Sequence, residues 1–275
     1  MKFTTALIAS LLSASEVFAA PRTALRREQF EKRLAGGRGS KPFRAANVTG
    51  DVEGPAEQQA TTTSTNWAGA ALDSSGFTGV QGTFTVPSVS TPPGGNSGTA
   101  YSASAWVGID GYTCGSAILQ TGLDFTIQNG RVSYDAWYEW YPANAVDFSG
   151  ISFSSGDSVK LTIVATSKTS GTATIQNLSK GTSVSHTFSG QSGTLCETNA
   201  EWIVEDFEEI SGGQAEQVPF ANFGTVSFTG ATATKSGSTV GVSGADIIDM
   251  TSSNGGSTIA SASLSGASGV TIKYV

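Results

Sequence analysis

The 275-residue sequence has one histidine and two cysteines, and these shortages exclude several kinds of chemistry. His186 lies in the alternating run Ser183–Phe188, where it fits a solvent-facing strand position. Ser-His-Asp triads, Cys-His pairs and most zinc sites require a histidine. Neither Asp-Thr-Gly nor Asp-Ser-Gly, the loops that pepsin-like enzymes need, occurs, and no glycine-rich phosphate loop opens a helix. We therefore expect no metal and no other cofactor.

Long apolar runs are also scarce, and the most continuous one is a short run near the N-terminus. Met1-Lys2-Phe3 is followed by an apolar stretch to Leu12 and by small residues ending at Ala20. This pattern is typical of a secretory signal peptide, which we place at residues 1–19, and it predicts an extracellular protein without a membrane segment. An even cysteine count in that compartment predicts a disulfide between Cys114 and Cys196.

Charged residues make up only 13% of the chain, and the two signs are segregated. Eight arginines and lysines lie between Arg22 and Arg44, whereas the chain from Thr61 onward has six cations and sixteen acids, a net charge of −10. A basic arm beside an acidic body predicts a propeptide at residues 20–60 that inhibits a mature domain at residues 61–275. A solvated, disordered tail is the alternative. We expect a monomer and no nucleic-acid partner.

Short alternating apolar runs, separated by Gly, Asn, Asp or Ser, predict the fold of the acidic body. Nine such runs are visible, at Gly82–Val86, Ser104–Ile109, Ser133–Tyr141, Ser158–Ala165, Thr172–Leu178, Ser183–Phe188, Glu201–Phe207, Thr225–Phe228 and Gly269–Val275. Many short strands with turn residues between them favour an all-β domain of antiparallel sheets, either a sandwich or a barrel.

The fourteen residues from Cys196 to Glu209 hold six carboxylates and two large aromatics. Strand alternation places Glu201, Ile203, Glu205 and Phe207 on one face, and Trp202, Val204, Asp206 and Glu208 on the other. A carboxylate among apolar neighbours is tuned for proton transfer, because burial disfavours its charged form. Any chemistry in this chain is therefore expected to be carboxylate chemistry.

Two further segments combine aromatic and polar side chains. Trp106, Gly108 and Asp110 share one face of a predicted strand, and Gln120 follows in an otherwise apolar run, where an amide needs a partner. In the next segment Asp135, Trp137, Glu139 and Tyr141 share a face. Such a wall suits an extended peptide or sugar polymer, but the same pattern is also typical of a sandwich strand with one wet face.

These segments resemble a known family, the fungal glutamic peptidases or eqolisins. The resemblance rests on four motifs in the family's order and runs from Thr65 to Val275: Trp106–Gly111, Leu119–Gly122, Tyr134–Pro142 and Asn199–Glu208. It implies two packed antiparallel sheets in a lectin-like (concanavalin-type) β-sandwich with the site on the concave face. It also implies a catalytic pair, Gln120 and Glu205, and residues that line or support the cleft, namely Trp106, Asp110, Asp124, Asp135, Trp137, Glu139 and Glu208.

The resemblance implies that the chain hydrolyses polypeptides in acid without an aspartic dyad. Two other functions fit the aromatic and acidic residues. One is a glycoside hydrolase with Glu139 and Glu205 as acid and nucleophile, and the other is a carbohydrate-binding lectin. Neither alternative explains Gln120 in its apolar run or the basic propeptide.

Overall fold

The computed structural model of the chain describes residues 36–46, 61–211, 214–252 and 256–275. The predicted signal peptide, most of the predicted propeptide and the boundary near residue 60 lie outside the described residues. The strands are β1 Arg38–Gly39, β2 Thr61–Ser64, β3 Trp67–Asp73, β4 Phe77–Thr85, β5 Tyr101–Ile109, β6 Ile118–Gln128, β7 Arg131–Tyr141, β8 Val146–Asp147, β9 Ser158–Ser167, β10 Ser170–Asn177, β11 Thr182–Phe188, β12 Asn199–Glu205, β13 Glu208–Ser211, β14 Gln214–Gln217, β15 Thr225–Lys235, β16 Ser238–Val240, β17 Asp246–Thr251, β18 Thr258–Ser265 and β19 Gly269–Tyr274.

Most of these strands form two largely antiparallel sheets that share β15, while β1, β13 and β14 form a separate small sheet and β2 pairs in parallel with β17. The larger sheet has the order β19-β18-β17-β3-β12-β5-β6-β7-β8, and the smaller one has the order β11-β10-β9-β4-β15. The first residues of β15 pair with β19 and its later residues pair with β4, so the strand passes from one sheet to the other. The predicted all-β class is confirmed. Among the described residues no helix is long and apolar enough to cross a bilayer.

Apolar side chains from both sheets form the core between them. Trp202 and Val204 of β12 point into this core, and the Trp202 indole donates a hydrogen bond to the Gln81 carbonyl oxygen of β4. Phe84 of β4 packs against Phe228 of β15 with ring centroids 5.4 Å apart. Burial of each large apolar side chain contributes about 1.5–3 kcal/mol, so this layer holds the two sheets together.

The alternation predicted for the acidic strand holds as far as Glu205 and then fails. Trp202 and Val204 face the core, while Ile203 belongs to a second apolar cluster on the opposite face of the sheet. Strand β12 ends at Glu205, and the chain re-enters a small sheet at Glu208. Glu208 therefore does not follow the period of two, and it lies on the same side as Glu205, where it contacts basic residues.

The predicted disulfide is present, between Cys114 and Cys196. It joins the loop before β6 to the loop before β12, the two strands that carry Gln120 and Glu205. Closing a loop across a sequence separation of 82 residues stabilises the fold by about 4 kcal/mol in the chain-entropy model.

Candidate active site

Strands β12, β5, β6 and β7 lie side by side, and their register aligns three rows of residues on the face that points away from the core. We call these twelve residues the site floor: Glu201, Gly108, Gln120 and Glu139 in the first row, Ile203, Trp106, Gly122 and Trp137 in the second, and Glu205, Ser104, Asp124 and Asp135 in the third. Seven of the nine functional residues predicted from the resemblance belong to this floor. Strand pairing alone thus gathers residues that are up to 101 positions apart.

Both members of the predicted catalytic pair are buried in the site floor. Glu205 accepts a hydrogen bond of 2.9 Å from the indole nitrogen of Trp106 and one of 3.1 Å from the backbone nitrogen of Lys41. Gln120 is 0% exposed, and neither its amide nitrogen nor its amide oxygen has a hydrogen-bond partner among the described residues. An unpaired buried amide costs about 1–3 kcal/mol, so Gln120 at this position lowers the stability of the fold.

The electrostatic environment of Glu205 favours its protonated form. Burial raises the pKa of the Glu205 carboxyl to about 7, although the Arg38 guanidinium and the hydrogen bonds from Ser40, Lys41 and Trp106 act in the opposite direction. Burial also raises the pKa of Glu139 to about 8, against the attraction of Arg38. Both carboxyls are therefore protonated in acid, and Glu139 is largely protonated at neutral pH as well.

Tryptophans and a glycine shape the middle row. The Trp137 indole nitrogen donates to the Ser104 hydroxyl at 3.1 Å, and Trp67 packs edge-on against Trp106 with centroids 4.9 Å apart. Gly122 lies between Trp106 and Trp137, where a Cβ atom would come within 2.6 Å of the Trp106 Cβ and 2.7 Å of the Trp137 ring. Only glycine leaves both indoles in these positions, so Gly122 fixes the shape of the floor.

An extended stretch of the basic arm lies across the site floor. Residues 36–46, which we call the basic segment, contain β1, in which Arg38 and Gly39 pair with Glu209 and Glu208 of β13. Further along, the Asn66 side chain donates to the carbonyl oxygens of Lys41 and Pro42. The acidic body therefore binds part of the predicted propeptide through the backbone as well as through charge.

Arg38 is the most deeply bound residue of the basic segment. Its side chain is 0% exposed, and its guanidinium contacts Asp124 at 3.0 Å and Glu139 at 3.3 Å. The same group lies over the rings of Trp137 and Phe207, at 3.9 and 4.4 Å from their centroids. A guanidinium suits this pocket because it combines a hydrogen-bonding edge with a flat face.

Two predicted site residues lie outside the floor. Glu208 holds the basic segment from β13, with its carboxylate 2.8 Å from Arg44 and 3.8 Å from Lys41. Asp110 instead accepts four backbone amides, from Cys196 to Asn199, at 2.7–3.1 Å. Asp110 thus supports the start of β12, the strand that carries Glu205.

His186 lies away from the site floor, on β11 of the smaller sheet. Its ring stacks on Tyr138 with centroids 4.0 Å apart, and Tyr138 belongs to the core-facing side of β7. The alternation in the sequence predicted a solvent-facing side chain, but the His186 side chain is half-buried. Burial lowers the pKa of His186, because it disfavours the charged form of the ring.

Glu201 is a fully buried carboxyl in the first row of the floor, and neither of its oxygens has a hydrogen-bond partner within the described part of the chain. Burial and the nearby Asp110 and Asp73 raise its pKa well above the ordinary value, and only the Tyr112 amide opposes them. Because the folded pKa lies above the unfolded one, Glu201 stabilises the fold fully below about pH 4.3 and progressively less as the pH rises.

We expect Glu201→Gln to reduce this loss, because glutamine keeps the shape and cannot ionise. Thermal unfolding at pH 4 and pH 7 measures the effect. The variant should lose fewer degrees of Tm between the two pH values than the wild type. Glu216→Gln, on the exposed strand β14, is the matched control and should behave like the wild type. An equal loss in Glu201→Gln and the wild type would contradict the assignment.

Comparison with known proteins places the chain in a family. The family model described as the Peptidase A4 family matches residues 65–274. The chain belongs to this peptidase family. Aspergillopepsin-2 of Aspergillus niger is 52% identical over the full length of both chains. Scytalidopepsin B of Scytalidium lignicola is 44% identical and aligns with 92% of this chain and 93% of its own length.

Solved structures of glutamic peptidases share the fold. Scytalido-glutamic peptidase with a transition-state analog inhibitor superposes with a TM-score of 0.69 at 47% identity, covering 77% of this chain and 98% of that structure. Aspergilloglutamic peptidase from Aspergillus niger gives a TM-score of 0.59 at 59% identity, covering 64% and 99%. The predicted resemblance to the glutamic peptidases is confirmed, and so is the two-sheet sandwich.

Several residues of the peptidase site were missed by sequence reasoning. Asn66 holds the basic segment at three backbone positions, and the Phe207 ring lies 4.4 Å from the Arg38 guanidinium, which also contacts the predicted Trp137. Asn66 lies next to Thr65, where the resemblance to the glutamic peptidases begins, and this was the one sequence feature that pointed to it. Arg38 looked like seven other cations of the basic arm.

Proposed function

We propose that this chain is a secreted acid endopeptidase in which Glu205 and Gln120 form the catalytic pair. The observation that carries the proposal is a polypeptide in extended form whose backbone nitrogen lies 3.1 Å from Glu205. A site that binds peptide backbone through strand pairing, Asn66 and two carboxylates suits a polypeptide rather than a sugar polymer.

The mechanism follows from the chemistry of the two side chains. Ionised Glu205 takes a proton from a water molecule that attacks the scissile carbonyl carbon, and it then returns that proton to the leaving nitrogen. The Gln120 amide donates to the oxyanion that develops on the carbonyl oxygen, which contributes about 3 kcal/mol in comparable single-donor sites. The Trp106 indole, bound to the other Glu205 oxygen, keeps the carboxylate oriented.

Acid conditions suit both groups. Gln120 stays uncharged at every pH, so the oxyanion donor is not lost on acidification. Removing the basic segment readmits water to Glu205 and moves its pKa back toward the ordinary value of about 4.3. The six cations of the acidic body keep self-repulsion small when the carboxylates are protonated.

The basic segment acts as the inhibitor of the zymogen in this proposal. It covers the site floor, and its charged contacts are with Asp124, Glu139 and Glu208, while Glu205 accepts the Lys41 amide. Acidification lowers the negative charge of the acidic body, which weakens its attraction for Arg38 and Arg44. Inhibition near neutral pH and release in acid are the expected consequences.

One assay tests the proposed reaction. After the propeptide has been removed, the protein is incubated with denatured protein and with polysaccharide at about pH 3. We expect peptide fragments and no sugar release, with no inhibition by pepstatin, which needs an aspartic dyad. If no polypeptide is cleaved between pH 2 and 5, or if polysaccharide is degraded instead, the proposal is wrong.

We further expect a synthetic peptide of residues 21–60 to inhibit the mature domain at pH 6 and not at pH 3. Replacing Arg38 with alanine in the peptide should raise the inhibition constant at least about 100-fold, because breaking a buried ion pair costs about 3–5 kcal/mol. Arg44→Ala is the control: its side chain is 46% exposed, and surface pairs contribute about 0–1 kcal/mol. Equal effects of the two substitutions would argue against Arg38 as the anchor.

A further inference from the structure

The basic segment places one particular peptide bond against the proposed general base. The backbone nitrogens of Ser40 and Lys41 donate to Glu139 and Glu205 respectively, each at 3.1 Å. Two successive amides are thus held by two carboxylates of the site floor. The bond between Ser40 and Lys41 is the one whose nitrogen faces Glu205.

This nitrogen is the atom that matters most in the second half of a hydrolysis. A general acid has to lie within about 2.6–3.2 Å of the atom it protonates, and the distance from Glu205 to the Lys41 nitrogen is in that range. The carbonyl of the same bond belongs to Ser40. Gln120 is buried in the same floor, and its amide donor has no partner among the described residues.

We propose that the Ser40–Lys41 bond is the first bond that this enzyme cuts in its own chain, within the same molecule. The inference rests on the proposed catalytic pair and adds to it a processing site. The basic segment is then both the inhibitor of the zymogen and its first substrate.

The Ser40–Lys41 bond lies between two anchors that hold the basic segment on the acidic body. Arg38 holds the N-terminal side, in the pocket of Asp124 and Glu139. On the C-terminal side, Phe43 packs against Trp67 and Tyr112, with centroids 6.2 and 5.0 Å apart.

While the chain is intact, each anchor raises the effective concentration of the other. Cutting between them converts one tightly held segment into two weakly held ones. Release of the site would therefore follow from a single cleavage.

The step balances without any co-reactant other than water. Once water has entered and the pKa of Glu205 has moved back toward its ordinary value, ionised Glu205 takes a proton from that water as the water oxygen bonds to the Ser40 carbonyl carbon, and Gln120 donates to the oxyanion. The intermediate then collapses, the carbon–nitrogen bond breaks, and the proton on Glu205 passes to the Lys41 nitrogen. The products are a carboxyl group at Ser40 and an amino group at Lys41.

The segment stays intact at neutral pH because the Lys41 amide occupies Glu205 in place of the attacking water. The groups that face the segment are Asp124 on β6, Glu139 on β7, Glu205 on β12 and Glu208 on β13. Acidification weakens the ion pairs of Arg38 and Arg44, and the segment can then move far enough to admit water.

The test follows the purified zymogen after a shift from pH 7 to pH 3.5, by intact mass and N-terminal sequencing over time. The first new fragments should end at Ser40 and begin at Lys41, with a rate constant that does not change over a 20-fold range of zymogen concentration. A first cut elsewhere, or a rate that rises with concentration, would overturn the proposal.

Matched variants at Lys41 distinguish the role of its backbone N–H from the role of its side chain. Lys41→Pro removes the backbone N–H that Glu205 binds and should abolish the cut and delay activation at least tenfold. Lys41→Ala keeps the N–H and loses only the contacts with Glu208 and Tyr141, so it should still be cut. If Lys41→Pro activates as fast as the wild type, the proposal fails.

An external peptide substrate tests the processing site and the proposed function separately. Zymogen that becomes active on this substrate with Ser40–Lys41 uncut disproves the processing site alone. Mature protein that cleaves neither the external peptide nor its own chain disproves the proposed function. The wild-type fragment map decides the first question even if a variant fails to fold.

Discussion

Glu205→Gln is expected to reduce kcat for peptide hydrolysis by at least about 10⁴-fold, to background. Glutamine keeps the shape of the side chain and can still accept the hydrogen bond from Trp106, but it can neither take a proton from water nor return one. General acid–base catalysis contributes about 10²–10⁴-fold per proton transfer, and Glu205 performs two. Initial rates on a quenched fluorescent peptide at pH 3.5 measure the loss.

The variant needs an external protease for propeptide removal, because it should not process itself. Glu216→Gln, exposed on β14, is the control and should keep wild-type activity. Glu139→Gln discriminates between reaction types, because a glycosidase would depend on Glu139 and Glu205 equally. A Glu205→Gln variant that retains more than about 1% of wild-type kcat would contradict its role as general base.

The strand pattern could be predicted because most strands of this fold have two different faces. In β7, Trp137 and Glu139 lie on the site floor while Tyr138 and Trp140 face the core, as the alternation in the sequence indicates. Strand β3 shows no such alternation, because it lies centrally in the larger sheet and its Ala and Gly residues are buried on both sides. Alternation of residue type is visible in the sequence only where the two faces of a strand lie in different environments.

The position of Glu208 could not be predicted from periodicity. Its place follows from the end of β12 at Glu205 and from the pairing of β13 with β1, and that partner is more than 160 residues earlier in the chain. A local pattern does not contain such long-range pairing.

The role of Arg38 shows a second limit of prediction from sequence. Charge segregation predicted that the basic arm binds the acidic body, and residues 36–46 do contact it. The choice of Arg38 as the buried anchor depends on the pocket formed by Asp124, Glu139, Trp137 and Phe207, whose residues come from two strands and a loop. All eight cations of the arm look alike until the fold is known.

Gln120 is the residue for which pattern and structure give complementary information. An amide in an apolar run was unusual in the sequence, and only the resemblance gave it a role. In the structure it lies opposite Glu139 and Gly108, fully buried, and both of its polar atoms lack a partner among the described residues. A position that costs stability is expected where function requires it.

Replacing Gln120 should therefore separate activity from stability. Gln120→Ala is expected to lower kcat at least about 10²-fold with a smaller change in KM, because the oxyanion contact strengthens mainly in the transition state. Gln120→Glu should be similarly impaired near pH 5, where an added negative charge would repel the oxyanion. Gln81→Ala, which removes an amide from β4 in the other sheet, is the control for kcat.

Stability is measured on the zymogen at pH 7, the form in which Gln120 is 0% exposed. Gln120→Met fills nearly the same space with no unpaired polar atom, so its Tm should equal or exceed that of the wild type while kcat of the mature form falls. A lower Tm together with wild-type kcat would assign Gln120 to the structure and not to catalysis. Retention of most peptidase activity in Gln120→Ala would show that the oxyanion is stabilised by another donor, even though the family is established.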